Sequence, residues 1–199
     1  MEFLKTLWEG IYNTSLLEWI AFATGLLYVI LAAKRLIICW LFAFVSSVIF
    51  VYLCFIGALY LESILQLFYV AMAIVGWISW RQGQDEVKEI KQWTISQHVT
   101  NIAISGFVAA VAGLMFDLYT NQASPYIDAF TTVFSLAATF MVTRKVMENW
   151  LYWIVIDLFS VYLYASRGYY ALALQMAIFT VLALVAYMAW RKQFKLQSA

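Results

Sequence analysis

The sequence predicts an all-α membrane protein: seven transmembrane helices, arranged as two parallel three-helix repeats joined by a central helix. Three observations lead there. The 199 residues are 65% hydrophobic and 12% charged, with a mean hydropathy of +0.84, whereas a soluble domain is roughly half apolar and about a quarter charged. Seven stretches approach the roughly 20 apolar residues that a spanning helix needs. Residues 35–80 also align without a gap on residues 145–190, 110 positions further on.

The spans fall at about 16–33, 36–56, 60–80, 97–116, 126–143, 147–166 and 169–190. The first is the weakest, being short and interrupted by Thr24 and Gly25, and it stops at Lys34-Arg35. The second runs to Gly57, and the third to Trp80-Arg81 at the head of the polar stretch "RQGQDEVKEIKQ". The fourth ends before "DLYTNQASP", the fifth at Arg144-Lys145, the sixth at Arg167-Gly168 and the seventh at Trp190-Arg191. The loops are too short for a separate soluble domain. Residues 1–199 therefore read as one transmembrane domain, with repeats over 16–80 and 126–190 and a connecting helix over 97–116. The opening "MEFLKTLWEG" lacks the basic start of a cleaved signal peptide.

Within the repeat, Trp40-Leu41 meets Trp150-Leu151, and Val51-Tyr52-Leu53 meets Val161-Tyr162-Leu163. Tyr60 meets Tyr170, Trp80-Arg81 meets Trp190-Arg191, Glu18 meets Asp128, and Lys34-Arg35 meets Arg144-Lys145. A unit of three spans ordinarily re-enters the membrane inverted; the unpaired fourth span reverses the chain and makes the units parallel. Parallel repeats are a transporter architecture, with the site near mid-membrane at the repeat interface. Lysine and arginine crowd one side: Lys34, Arg35, Arg81, Lys88, Lys91, Arg144, Lys145, Arg191, Lys192 and Lys195, against Lys5 and Arg167. The positive-inside rule then sets the N-terminus outside and the C-terminus in the cytoplasm.

Other classes fall away. A net charge of +1 offers nothing to nucleic acid. Cys39 and Cys54 lie in apolar runs with no disulfide or metal spacing and read as small packing residues. There is no phosphate-binding glycine loop, no metal motif and one histidine, so no enzyme, metal or cofactor is expected. The seventh span has no lysine for a retinal Schiff base.

At about 100° per residue, Trp150, Trp153, Asp157, Ser160 and Tyr164 share one face of the sixth span. A carboxylate at the bilayer centre costs about 2.5–3.5 kcal/mol on insertion scales, and no span carries a lysine or arginine to pair with it. Two readings stand. Asp157 and the aromatic rings form a site for a flat cation through charge and cation–π contact, or the carboxyl accepts donors from neighbouring helices. The fifth span carries Asp128, Thr131, Thr132, Ser135 and Thr139 on one side. These line a path, or their hydroxyls bond their own helix and glue helices together. Gln66 shares a face with Tyr69, Ala73, Gly76 and Trp80, and Gln175 is placed similarly in the seventh span. Glu18, Trp19, Asp117 and Asp128 near the outer boundary read as solvated ends or an acidic vestibule. His98 reads as interfacial, and Trp80 and Trp190 as interface anchors.

"ILQLFYVAMAIVGWISW", "TRKVMENWLYWIVIDLFSVYLYASRGYYALAL" and "TGLLYVILAAKRLIICW" resemble the Pnu vitamin transporter family over nearly the whole chain. The resemblance implies a 3+1+3 fold distantly like that of the SWEET sugar transporters. It implies facilitated diffusion of a vitamin across the bacterial cytoplasmic membrane, trapping by a cytosolic vitamin kinase, and a homo-oligomer, a trimer by family habit. It also carries over Gln66, Asn149, Trp150 and Trp153 as substrate contacts. Asp157 and Ala73 stand where some nicotinamide riboside carriers have asparagine, and Met176 where that branch has tyrosine. Nicotinamide riboside is the default substrate. Thiamine, which also presents a cationic aromatic ring, is the alternative, and a sugar carrier or a non-transporting receptor stands further off.

Overall fold

The protein is described from a computed structural model covering residues 12, 15–57, 60–82, 89–120 and 124–197. Lys5, Lys88 and the "MEFLKTLWEG" start lie outside the described residues. Seven α-helices follow one another: α1 (Leu16–Ala33), α2 (Cys39–Ile56), α3 (Tyr60–Gln82), α4 (Ile95–Tyr119), α5 (Pro125–Thr143), α6 (Asn149–Ser166) and α7 (Tyr170–Gln197). All seven expected spans are present as helices. The last helix runs beyond Trp190 to Gln197.

Local chemistry sets the helix starts. Ser15 and Glu18 form a capping box at α1, with the Ser15 N–H donating to Glu18 Oε2 at 2.7 Å. Thr94 and Gln97 do the same at α4, and Pro125 opens α5, where its missing N–H costs nothing. Glu18 is therefore committed to a helix cap rather than to a vestibule.

Two expectations about span quality are corrected. Among the described residues six helices are long and apolar enough to cross a membrane, and α1 is one of them. Thr24 does not interrupt α1, because its hydroxyl bonds the helix carbonyls of Ile20 and Ala21. Gly25 lets α1 approach α2: a Cβ there would lie 3.3 Å from Ser46 Oγ. The helix that falls short is α6, whose Asn149, tryptophans, tyrosines and Asp157 dilute its apolar content.

The turns after α1 and α5 are the same object. Both are Schellman caps with a basic residue in the left-handed region, Arg35 at φ 57° and Lys145 at φ 56°. In one, Arg35 N–H donates to Ala32 and Leu36 N–H to Leu31. In the other, Lys145 N–H donates to Val142 and Val146 N–H to Met141. The αL conformation costs a non-glycine residue about 1–2 kcal/mol, so the duplicated strain shows that this geometry is held by its surroundings.

Packing closes a ring. α2 packs between α1 and α3, α4 to α7 pack in succession, and α1 meets α7 while α3 meets α5. α4 packs chiefly on α5, outside the ring, and touches α6 through His98 and Tyr152. Its lead-in is pinned, since Lys91 bridges Val146, with Lys91 N–H donating to Lys145 O and Met147 N–H to Lys91 O.

Candidate transport site

Asp157 projects from the middle of α6 and is 5% exposed, with no hydrogen bond or ion pair to any other described residue. Burying an unpaired carboxylate is costly. Its surroundings are aromatic and polar. Tyr69 on α3 lies within electrostatic reach of both Asp157 and Tyr164, and its hydroxyl meets Ser135 Oγ on α5 at 2.7 Å. Tyr28 on α1 is in turn within reach of Tyr69 and sets its ring 5.8 Å from that of Trp40. Trp153, one turn below Asp157, packs against both apolar clusters of the molecule. Through Tyr69, helices α1, α3, α5 and α6 are thus linked beside the acid.

The expected site residues divide. Tyr69, Ser135, Trp153, Asp157 and Tyr164 come together. Gln66 is half-buried one turn from Tyr69. The fifth-span hydroxyls mainly satisfy their own helix: Ser135 donates to Thr132 O at 2.8 Å and Thr139 to Ser135 O at 2.7 Å. Thr131 bonds Ile127 and Asp128 carbonyls, and Thr132 is half-buried beside them. Ser160 likewise donates to Ile156 O. Asp128 is not an open vestibule group, because it pairs with Arg167 Nη2 at 2.7 Å.

Asn149 and Trp150 lie about two turns from Asp157, at the start of α6. Asn149 is fully buried and donates to Val146 O in its own turn, leaving Oδ1 unpartnered; Trp150 Nε1 is unpartnered too. Trp80 and Trp190, expected as interface anchors, are 2% and 1% exposed and belong to the core. Trp40 packs edge-to-face on Trp80 at 5.4 Å, Trp150 on Trp190 at 5.5 Å, and Trp80 meets Trp190 at 6.4 Å. The 110-residue repeat carried the signal for this cluster, since the four tryptophans are two matched pairs.

His98 holds the α4–α6 contact, with Nδ1 3.1 Å from Tyr152 OH. Cys39 and Cys54 are free thiols in the packing.

A closed ring of membrane helices that buries an acid with no partner among the described residues is the arrangement of a small-molecule carrier. The chain belongs to the nicotinamide mononucleotide transporter family, whose sequence profile matches residues 15–192. It is 29% identical to the nicotinamide riboside transporter PnuC of Escherichia coli K12, over 91% of this chain and 87% of that one. It is 26% identical to the Streptomyces davaonensis riboflavin/roseoflavin transporter RibM, over 73% and 70%. Its fold is similar to the crystal structure of the vitamin B3 transporter PnuC, with a TM-score of 0.76, 25% identity and coverage of 97% of this chain and 90% of that one. The chain is a membrane transporter, not an enzyme.

Proposed function

We propose that this chain is a passive carrier that takes up nicotinamide riboside across the bacterial cytoplasmic membrane. The observation that carries the reading is Asp157: a buried acid with no protein partner among the described residues suits a cationic ring better than a neutral sugar. Trp153, Tyr69 and Tyr164 supply flat surfaces beside it, and Gln66 supplies a polar group for a ribose or carboxamide. The relatives named above speak for nicotinamide riboside; none speaks for thiamine. RibM makes riboflavin the second reading, but that ring is uncharged and gives Asp157 no role.

On this reading the helices form two parallel units, α1–α3 and α5–α7, with α4 as the reversing link. Support comes from the matched turns at Arg35 and Lys145 and from a ring closed only by the α1–α7 and α3–α5 seams. The basic turns face the cytoplasm, where a vitamin kinase traps the product, and the carrier assembles as a homo-oligomer, a trimer.

The test is saturable uptake of labelled nicotinamide riboside into vesicles holding the purified chain. A calorimetric titration of nicotinamide riboside, thiamine and riboflavin accompanies it. Absence of flux sinks the carrier. Tighter binding of riboflavin than of either cation sinks the role given to Asp157.

A further inference from the structure

At the end of the molecule that carries the Arg35 and Lys145 turns, each three-helix unit reaches across to the other by the same contact. The indole N–H of Trp80 on α3 donates to the Val142 carbonyl of α5 at 3.3 Å. That of Trp190 on α7 donates to the Ala32 and Ala33 carbonyls of α1 at 3.2 and 3.1 Å. Donors and acceptors are both 110 positions apart. The acceptors are last-turn carbonyls at the negative end of the helix dipole; Ala32 and Val142 already accept one N–H each from the Schellman turns, and the indole N–H takes the second lone pair.

The same cluster holds mismatches in matched positions. Trp40 Nε1 and Trp150 Nε1 are buried without a partner among the described residues, as is Asn149 Oδ1. Buried polar groups left unpaired oppose the state that buries them. Separating the units at this end admits water to all three, at the expense of the two cross-unit indole bonds.

We infer that Trp80 and Trp190 form a two-bond latch shutting this end of the carrier, and that Trp40 and Trp150, unpaired while it is shut, keep it ready to open. The inference rests on the carrier reading above. The two effects have opposite sign, and the ring stays in place when tryptophan becomes phenylalanine, so removing an indole N–H separates them. Trp80→Phe and Trp190→Phe favour the open end; Trp40→Phe favours the closed one. Each bond lost or mismatch relieved shifts the equilibrium by about twofold to tenfold.

Cys39 reports on this. It is fully buried beside Trp40 in the same apolar cluster. With Cys54→Ala as background, its labelling by a membrane-impermeant maleimide is timed in inside-out and right-side-out vesicles. W80F/W190F raises the rate about fourfold to a hundredfold, multiplying the effects of two bonds, and only from the face bearing Lys34 and Arg144. W40F slows it by about threefold. An unchanged rate in W80F/W190F, or acceleration from the opposite face, overturns the latch; so does faster labelling in W40F. Should W80F/W190F lose its cooperative melt, W190F and W40F decide by the same signs. Nicotinamide riboside exchange by the unaltered chain is measured in parallel. Its absence sinks the carrier reading, whereas exchange with unmoved Cys39 labelling sinks the latch alone.

Discussion

The two seams of the ring agree at one end and part company in the middle. At the basic-turn end each is closed by a tryptophan bonded to a foreign helix terminus. At mid-membrane the α3–α5 seam is polar, with the Tyr69 hydroxyl against Ser135. At the corresponding point of the α1–α7 seam, Phe179 stands where Tyr69 does and Gly25 where Ser135 does, and a Cβ at Gly25 would lie 3.8 Å from the Phe179 ring. The same split separates α6 from α2: Trp150 is matched by Trp40, but Trp153 by Ala43 and Asp157 by Ser47. Residues that close the molecule are duplicated, and residues beside the acid are not. On the proposed two-unit reading, a symmetric frame that carries an asymmetric solute needs only one half to recognise it.

The largest break in the comparison lies under the tryptophans. A Cβ at Gly76 would lie 2.3 Å from the Trp40 ring, while the matched position, Ala186, already holds a methyl group in the core. Gly76→Ala is expected to cost about 3 kcal/mol by overpacking a rigid indole, and Ala186→Gly about 1 kcal/mol by helix propensity. Thermal melts in detergent compare them. Equal costs would mean that the two tryptophans seat alike.

The next effect concerns recognition. Asp157→Asn keeps the shape and removes the charge, and should weaken nicotinamide riboside binding about thirtyfold, roughly 2 kcal/mol, while the melt holds or rises, because no partner is stranded. Binding within twofold of the parent removes the acid from the site. Tyr69→Phe makes the two seams alike at mid-membrane. It forfeits the Ser135 contact for about 1 kcal/mol of stability, and an unaltered melt would show the hydroxyl to be idle.

The legibility of the sequence follows the same divide. Seven helices, their order and the exceptional aspartate were readable because hydropathy and the 110-residue repeat are one-dimensional signals. The places of Trp80 and Trp190 were not. A tryptophan at the end of an apolar run reads as an interface anchor, and only the closing of the ring turns it inward. Thr24 misled in the opposite sense: its polarity suggested a weak span, yet its hydroxyl is spent on its own helix. Asp128 and Glu18 occupy matched positions at the far end and look equivalent in sequence, but a helix cap claims one and Arg167 the other.

That last pair gives the smallest effect and tests whether the end opposite the latch is wet. Arg167 and Asp128 are joined at 2.7 Å with side chains 25% and 17% exposed, and the first unit has Glu18 capping α1 and Gly57 where they stand. A partly exposed pair contributes about 0.5 kcal/mol and is screened by salt. Arg167→Gln should therefore lower the melt slightly at low ionic strength and not at 1 M salt, where the Debye length shrinks to about 3 Å. A loss well above 1 kcal/mol that persists in high salt would mean that the pair is dry. The end facing away from Trp80 and Trp190 would then be sealed as well, and the contrast between a latched end and a water-filled one would have to be abandoned.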